Sequence, residues 1–324
     1  MEKVLKDDRG VALILTIAII SIIVTLTLHF NAAMRSEFYA AANLRDEIRL
    51  GYIARSGFNC ALAVIYKDAQ ETSHDSVHET WAHSKKFSSY SGSLFDEGRF
   101  EVLITDLTGK IPINQLFTKN GDQEEKILVR LLTSEYFNIE PEEAEDIVDS
   151  IKDWIDGDNE ITEFGGAEDS YYMALAPPYR CRNAPLTSLE ELLLVKGITK
   201  ELFYGSLEKP GISNHLTVHG NGAININTAD PLVLRSLSAD IDPETVEEIV
   251  AYREDEENDL SNYSWYKTAL GTNEDIISPD LITTRSSYFE IKSKGIKDNM
   301  IKEIKGVVER DNDKVLRIMS WGIL

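Results

Sequence analysis

The sequence is poor in cysteine and in positive charge. Two cysteines among 324 residues are too few for a disulfide framework. We expect Cys60 and Cys181 to be separate buried thiols, although pairing in an oxidising compartment stays open. There are 33 basic residues against 55 acidic ones, a net charge of −22. This balance repels nucleic acids and anionic lipid head groups and favours divalent cations and basic partners.

The chain also lacks recognisable catalytic motifs. It has no G-x-S-x-G elbow, no H-E-x-x-H pair and no glycine-rich phosphate loop. Acidic pairs are the chemistry of glycosidases, but the sequence places no two carboxylates at a working separation. We therefore expect a protein that is not an enzyme.

One long apolar run is present near the start of the chain. Residues 11–30 read VALILTIAIISIIVTLTLHF, without a single charged side chain. About 20 helical residues cross the roughly 30 Å hydrocarbon core of a bilayer. A short charged leader precedes the run and ends at Gly10. An uncleaved anchor is one interpretation, and an ordinary signal with a cleavage site near Asn31 to Met34 is another.

Helical periodicity continues beyond the apolar run. Apolar residues recur at spacings of three and four, which predicts one continuous stripe. Its members are Leu44, Ile48, Gly51, Ala54, Phe58, Ala61 and Ile65. We expect a single helix to about Tyr66, with its first half in a membrane and its second half packed on a soluble body.

Strand patterns flank a block of helices. Alternation predicts strands at residues 99–107, 287–292, 301–309 and 314–321, with turns at Gly295 and residues 311–313. Between them, helices are predicted at residues 126–137, from Pro141 through Trp154, after a Thr187–Glu190 capping box, and at residues 199–204. The order indicates an α+β fold, in which helices are inserted between strands of one antiparallel sheet.

The polar stretch from Asp68 to Gly98 contains three histidines, His74, His78 and His83. No cysteine or ordered carboxylate spacing accompanies them. We therefore predict a solvated loop rather than a metal site.

A weak internal repeat lies within the helical block. GKIPINQL from Gly109 and GAININTA from Gly222 each precede a pair of helices, the second pair spanning residues 231–237 and 243–252. Such units resemble helix-hairpin-helix modules, many of which bind the DNA backbone. Phosphate binding needs basic side chains beside the hairpin amides, whereas nine acidic residues lie between Asp240 and Glu257. A membrane-anchored DNA receptor is an alternative, but we expect no nucleic-acid partner.

Carboxylates are densest between residues 153 and 169. The acidic residues there are Asp153, Asp156, Asp158, Glu160, Glu163, Glu168 and Asp169. Residues 156–160 (DGDNE) alternate oxygen donors on a tight loop, as Ca²⁺ prefers, although the spacing is not that of an EF-hand. A solvated acidic loop is the alternative. Because crowded carboxylates repel one another without a cation, we predict a Ca²⁺ site.

The same stretch resembles the K-type minor pseudopilins of type II secretion. The residues that carry the resemblance are Asp153-Trp154, Asp156, Asp158, Gly166-Ala167-Glu168, Tyr172, Pro177-Pro178-Tyr179, Asn183, Pro185-Leu186, Glu190-Glu191-Leu192 and Ile224 to Ala229. The N-terminus resembles the class III signal of type IV pilins and pseudopilins, which prepilin peptidase cuts, here between Gly10 and Val11. Most such proteins carry Glu at the fifth mature position, which is Leu15 here. The K-type subunit is known to lack that Glu, and its loss suits a subunit with none ahead of it.

The resemblance implies a pilin-like fold with a large inserted α-helical (helix-hairpin-helix/SAM-like) domain. The implied segments are a leader (1–10), the membrane half of a spine helix (11–30), the first part of the body (31–115), the insertion (116–284) and the closing strands (285–324).

The resemblance also implies a function and a site. The protein would be a non-enzymatic tip subunit of the type II secretion pseudopilus, held in the bacterial inner membrane with its body in the periplasm. Its partners would be the I- and J-type minor pseudopilins, the major pseudopilin, prepilin peptidase and the inner-membrane platform. The Ca²⁺ ligands would lie among Asp153, Asp156, Asp158, Glu168 and Asp169. A minor pilin of a type IV pilus remains an alternative.

Overall fold

The computed structural model describes residues 8–115, 121–163, 165–206 and 209–323. Its first element, α1 (Asp8–Glu71), is a helix of 64 residues. The predicted long helix is confirmed, and it continues past Tyr66. Most of the expected leader, residues 1–7, lies outside the described residues, but Gly10 and Val11 are part of α1.

The N-terminal half of α1 contacts no other part of the described chain closely enough to be buried. Residues 11–30 are all exposed. In the described ranges, α1 is the one helix that is long and apolar enough to cross a membrane. Its apolar surface therefore needs a bilayer or other subunits as its surroundings.

The C-terminal half of α1 packs on a sheet. The side chains that it buries there recur every three or four residues, apart from one adjacent pair, and are Leu50, Ile53, Ala54, Phe58, Ala61 and Ile65. The predicted stripe is confirmed from Ala54 onward. It is wrong at Leu44 and Ile48, which are 58% and 54% exposed. These two side chains precede the buried stripe, which starts at Leu50.

The sheet has four antiparallel strands, as the alternation predicts. β1 (Arg99–Asp106) pairs with β6 (Tyr288–Lys297), so the two strands are adjacent although they lie far apart in sequence. The sheet continues through β7 (Met300–Arg310) and β8 (Leu316–Ile323). A short helix, α2 (Ser84–Ser89), packs against β1.

The turn predicted at Gly295 is wrong. Gly295 lies inside β6, and the hairpin turn comes three residues after it, at Asp298 and Asn299. A Cβ at position 295 would collide with the carbonyl oxygen of Leu50. Glycine is needed because α1 crosses the strand closely here, and a close backbone approach carries the same sequence signal as a turn.

The helical insertion leaves the sheet after β1 and returns before β6. Its α-helices and short strands, in chain order, are β2 (Ile111–Pro112), α3 (Gly121–Thr133), α4 (Pro141–Ile155), α5 (Asp169–Tyr172), α6 (Lys200–Tyr204), β3 (Leu216–Thr217), β4 (Ile224–Asn225), α7 (Pro231–Ser236), α8 (Pro243–Glu254), α9 (Trp265–Ala269) and β5 (Ile282–Thr283). The two Ile-x-Ile-Asn pieces of the repeat begin β2 and β4, which pair in parallel with β3 and β5.

Two hydrophobic clusters divide the buried residues. One joins α1 to the sheet, and its members come from positions 50–104 and 289–308. The other fills the insertion with residues from Ile111 to Ile282. The exact domain boundaries given above stay predictions.

Several helix ends differ from the predicted ones. α3 starts and stops earlier than residues 126–137, because the pattern located its apolar face rather than its ends. The capping box is Ser188–Glu191, one residue later than predicted, and it opens a 3-10 helix that ends at Leu194. α4 and α6 begin where predicted, with Pro141 in the first turn and Thr199 as N-cap.

The stretch after α1 is not the solvated loop that its polarity predicts. Asp75, Ser76 and Ser84 are nearly fully buried, and Trp81 contacts Phe289 of the sheet. His78 Nε2 lies 2.7 Å from the carbonyl oxygen of Arg253. Polar residues fill this stretch because their side chains bond to backbone groups, as Ser91 does at Phe100, and not because water surrounds them.

Candidate metal centre

The acidic loop begins where α4 ends. Asp153 points into the interior and is completely buried, whereas Asp156 caps the end of the helix. The chain then leaves the helix through residues 157–163 and returns at Glu168, the N-cap position of α5. This return brings carboxylates from both ends of the loop together.

Three of the five predicted ligands converge. Carboxylate oxygens of Asp156, Asp158 and Glu168 all lie within 4.8 Å of one another. Glu168 is buried, Asp156 is half-buried and Asp158 is exposed. The group is therefore open to solvent on one side, where water can complete a coordination shell.

Several buried oxygens at this site have no hydrogen-bond partner. They are Oδ2 of Asp153, Oδ1 of Asp156, both carboxylate oxygens of Glu168 and Oδ1 of Asn183. Buried polar atoms are nearly always paired, so each unpaired one calls for an explanation. A donor set made only of oxygen suits a hard cation such as Ca²⁺. The residues present fit that ion.

Electrostatics at the cluster also favours a bound cation. Burial, with the nearby charges of Asp153 and Asp156, raises the pKa of Glu168 to about 7. Burial and the charge of Asp158 raise the pKa of Asp156. Both shifts express the cost of crowded negative charge. A bound cation would reverse that cost by stabilising the ionised forms.

Hydrogen bonds fix the loop around the cluster. The backbone N–H of Thr162 donates to Oδ1 of Asp153 at 2.9 Å, and the N–H of Glu160 donates to Oδ1 of Asp158 at 2.8 Å. The amide nitrogen of Asn183 donates to the carbonyl oxygen of Asp158. Gly166 lies against Oδ2 of Asp153, where a Cβ would collide with it.

The fifth predicted ligand, Asp169, is engaged elsewhere. Its Oδ1 accepts the backbone N–H of Cys181 at 2.8 Å. Asp169 is not part of the three-carboxylate group and instead holds the neighbouring chain segment in place. Whether it or Asp153 contacts an ion stays a prediction.

Aromatic rings form one wall beside the site. Trp154 contacts Tyr172 and Tyr179, with ring centroids 5.0 and 6.2 Å away. The hydroxyl of Tyr179 donates to the carbonyl oxygen of Leu194 at 2.7 Å. These contacts make the residues that surround the carboxylates a packed part of the insertion core.

The helix pair α7–α8 differs from a phosphate-binding hairpin. Asp230 accepts the N–H groups of Leu232 and Val233, and Asp242 accepts that of Thr245. Carboxylates therefore occupy the helix N-termini to which a phosphate would bind. The expectation of no nucleic-acid partner stays a prediction.

Sequence reasoning missed a second acidic group. Asp68, Asp75 and Glu79 also place carboxylate oxygens within 4.8 Å of one another. Their spacing matches no loop motif, because Asp68 belongs to α1 and the other two to the segment after it. The acidic residues beside the histidines were the one signal in the sequence.

Two family models match the chain. Both are described as "Type II secretion system (T2SS), protein K", and they match residues 109–207 and 224–262. The first range contains the three-carboxylate group, and the second contains the Ile-Asn-Ile-Asn piece.

Curated relatives carry the same description. Type II secretion system protein K of Pseudomonas aeruginosa is 25% identical, over 97% of this chain and 92% of the relative. That of Klebsiella pneumoniae is also 25% identical, over 69% of this chain and 67% of the relative.

A solved structure has the same fold. It is the crystal structure of the GspK-GspI-GspJ complex from the type 2 secretion system of enterotoxigenic Escherichia coli. One of its chains superimposes with a TM-score of 0.63 at 17% identity, over 88% of this chain and 99% of that chain. The predicted arrangement of a long helix, an antiparallel sheet and helical insertions is confirmed at this level.

Proposed function

Because this chain belongs to the type II secretion system protein K family, we propose that it is the minor pseudopilin at the tip of the pseudopilus. Protein K pseudopilins are a structural, non-catalytic family. The observation that carries the proposal is the 64-residue helix, apolar and exposed in its first half and packed on a sheet in its second. Such a helix joins a membrane-embedded filament axis to a soluble body.

Before assembly, the protein would be located in the inner membrane. Prepilin peptidase would cut between Gly10 and Val11, leaving the apolar half of α1 in the bilayer and the body in the periplasm. Residues 11–30 of that helix have about the length needed to cross the hydrocarbon core. Extraction of the mature subunit by the inner-membrane platform would begin filament assembly.

Two features support the tip position. Leu15 is neutral at the fifth mature position, so no buried carboxylate needs the amine of a subunit ahead. The insertion, between adjacent strands β1 and β6, adds a body with its own hydrophobic core. Such a body at every position would obstruct helical packing below the tip.

The I- and J-type minor pseudopilins are the proposed immediate partners, with the major pseudopilin below them. The E. coli relative was crystallised in a complex with GspI and GspJ. On this chain, Leu44, Ile48 and Tyr52 are exposed apolar side chains on α1. They continue the uncovered surface of the membrane half, and we assign them to contacts with partner helices.

A partner-capture experiment tests this assignment. The variant Leu44→Gln with Ile48→Gln should co-purify at least tenfold less I- and J-type pseudopilin from detergent extracts of the bacterium that encodes the chain. The matched control is Leu103→Gln, an equally exposed apolar residue on β1. Unchanged capture by the double variant would contradict the assigned surface. Normal secretion by a strain lacking the chain would contradict the function.

We further propose that Asp156, Asp158 and Glu168 hold a structural Ca²⁺, with Asp153 and Asp169 as further candidate ligands. Support comes from the unpaired buried oxygens and the crowded negative charge described above. The ion would supply no chemistry beyond neutralising these carboxylates. It would brace the loop between α4 and α5 within the insertion.

Calcium-dependent unfolding tests this site. Ligand binding to the native state adds RT ln(1 + [L]/Kd) to the free energy of unfolding, about 2.7 kcal/mol at 100-fold excess over Kd. We expect Glu168→Gln to lose much of the Tm rise produced by Ca²⁺ after chelation, and Mg²⁺ to produce little rise. Glu160→Gln, in the same loop but exposed, is the control. An equal Ca²⁺-induced Tm rise in the unsubstituted protein, Glu168→Gln and Glu160→Gln would contradict the site.

The same purified protein tests the DNA-receptor alternative. Retention of DNA at low salt, lost steeply as salt increases, is what a backbone-binding protein gives. We expect none, because Asp230 and Asp242 occupy the helix N-termini of the second pair.

A further inference from the structure

We propose that Asp68, Asp75 and Glu79 form a second divalent-cation site, located where the spine helix ends and the insertion meets the sheet. It lies beside the core that joins α1 to the sheet, whereas the site proposed above lies in the core of the insertion. The proposal does not depend on that other site or on the tip function.

The three carboxylates converge in a largely buried position. Oxygens from the three carboxylates lie within 4.8 Å of one another. Asp75 is 1% exposed and Asp68 is 8% exposed, while Glu79 is half-buried. Each residue has a buried oxygen without a hydrogen-bond partner, namely Oδ2 of Asp68, Oδ1 of Asp75 and Oε1 of Glu79.

The other carboxylate oxygens of Asp75 and Glu79 already have hydrogen-bond partners. Oε2 of Glu79 accepts the backbone N–H of Ser76 at 3.0 Å and the indole N–H of Trp81 at 2.8 Å. Oδ2 of Asp75 accepts the backbone N–H of Ser286 at 2.8 Å. These bonds orient both side chains and leave one oxygen of each for a ligand.

One arginine contacts the group but does not balance it. Arg310 donates to Oδ2 of Asp75, and its Nη1 lies 3.9 Å from Oδ2 of Asp68. The same guanidinium also donates to the carbonyl oxygen of Ser286. Among the described residues, three carboxylates and one guanidinium leave two negative charges in a buried place, which one divalent cation would neutralise.

The chemistry of the donors selects the class of ion. All three are carboxylate oxygens, which hard cations prefer, and Ca²⁺ accepts an irregular set completed by water. Glu79 is half-buried, so the site has an approach from solvent. Ca²⁺ is therefore the probe of choice.

At this location a bound ion would have a structural role. The carbonyl oxygen of Asp75 accepts the side-chain amides of Asn225 and Asn227 at 3.1 Å each, and its N–H donates to the carbonyl oxygen of Thr284 at 2.8 Å. Asp75 thus contacts the insertion while Asp68 belongs to α1. A cation between them would fix the orientation of the insertion on the spine helix.

A shared proton is the competing explanation. Burial and the charges of Glu79 and Asp75 raise the pKa of Asp68 to about 7. A proton on Asp68 would relieve the repulsion without any metal. The experiment must therefore count ions as well as measure stability.

The test uses the full chain in detergent micelles at pH 8, with bound Ca²⁺ counted after equilibrium dialysis. Glu79→Gln should bind one ion per chain fewer than the unsubstituted protein. Its carbonyl oxygen can still accept from Ser76 and Trp81, so the fold is preserved. Glu71→Gln, an exposed residue near the end of α1, changes the charge equally and should bind as many ions as the unsubstituted protein.

Stability separates the cation from the proton. With a cation site, Glu79→Gln lowers Tm in Ca²⁺ by more than it does in chelator. A variant that binds as many ions as the unsubstituted protein, or that shifts Tm equally in Ca²⁺ and in chelator, would overturn the proposal.

A second measurement applies if Glu79→Gln does not fold. Terbium replaces Ca²⁺ and emits when a nearby tryptophan is excited, and Trp81 is hydrogen-bonded to Glu79. The Glu168→Gln chain should keep one tryptophan-sensitised Tb³⁺ that excess Ca²⁺ displaces. Absence of that emission would refute the second site, whatever the result at Glu168.

Discussion

Asp106 lies at the end of β1, where hydrogen-bond donors from the turn after β1 and from two distant segments meet its carboxylate. Oδ1 accepts the backbone N–H of Thr108 at 2.8 Å, and Oδ2 accepts the hydroxyl groups of Thr228 and Ser286. Burial nevertheless raises the pKa of Asp106 to about 6. Asp106 therefore links the body to the insertion, and its contribution to the free energy of unfolding depends on pH.

We predict an opposite pH response at this residue from that of ordinary paired carboxylates. The folded protein takes up a proton at Asp106 near pH 6, whereas the unfolded chain does so near its usual pKa of 3.8. The contribution of Asp106 to the free energy of unfolding therefore falls as pH rises from about 4 to 6. At ~1.4 kcal/mol per pH unit, the change is at most ~3 kcal/mol.

Urea unfolding between pH 4 and 7, with chelator present, measures this contribution. Asp106→Asn should lose that fall relative to the unsubstituted protein, although its amide also faces the Thr108 N–H and lowers stability at every pH. Asp298→Asn, in the exposed turn after β6, should keep the original slope. Parallel curves for all three proteins would refute the prediction.

At the scale of elements, α1 serves two environments with one continuous helix. Its buried half is held close to the sheet by small residues. Ser293 donates its hydroxyl to the carbonyl oxygen of Ala54 at 2.7 Å, and Gly57 lies against both Ser293 and Phe100. The apolar pattern located the helix, but the distance between helix and sheet depends on residues with little side chain.

Two glycines of α1 should therefore respond oppositely to alanine. At Gly57 an added Cβ would lie 2.8 Å from Cγ of Phe100 and collide with Oγ of Ser293. Overpacking of this kind costs ~1–3 kcal/mol. At Gly51 nothing lies within 4 Å, so alanine should raise stability by ~0.5–1 kcal/mol through helix propensity.

Chemical unfolding of the full chain in detergent measures both variants. Gly51→Ala is the matched control, because it makes the same change in the same helix. Equal effects of the two substitutions would show that α1 does not pack on the sheet as described.

At the scale of the whole molecule, the insertion and the body are nearly separate in their packing. The hydrophobic cluster between α1 and the sheet contains no residue between Ile104 and Phe289. Asp106 and Phe289 are paired neighbours on β1 and β6, so the insertion leaves and returns at one place. A hairpin turn would be long enough to join the two strands at that place.

We predict that the body folds without the insertion. A chain in which residues 108–287 are replaced by a short glycine-containing turn should keep a cooperative thermal transition and the far-ultraviolet signal of helix and sheet. Its Tm should be lower, because Asp75 loses its bonds to Asn225 and Asn227. Loss of any cooperative transition would mean that the two parts fold as one unit.

The two cysteines should remain thiols. Both are free, with Cys60 beside the core of α1 and the sheet and Cys181 in the core of the insertion. Burial raises the pKa of the Cys60 thiol and raises that of Cys181 to about 12. Protein isolated without reductant should give two titratable thiols per chain after denaturation. Recovery of none, with faster migration on a non-reducing gel, would contradict the separation of the two cores.

The sequence alone determined the features that depend on neighbours along the chain. An uncharged run of 20 residues fixed the exposed half of α1, alternation fixed the strands of the sheet, and Pro141 fixed the start of α4. Crowding of acidic residues between 153 and 169 located the first candidate site, because a loop returns its own ends to each other.

Only the tertiary structure decided what depends on distant segments meeting. It placed Gly295 in a strand rather than a turn, because α1 crosses there. It buried the polar stretch after α1 and brought Asp68 together with Asp75 and Glu79 beside Arg310. It also separated Asp169 from the three convergent carboxylates. The physical reason is common to all of these. Close approach, burial and charge clustering depend on which distant residues pack together, and a local sequence pattern does not identify those residues.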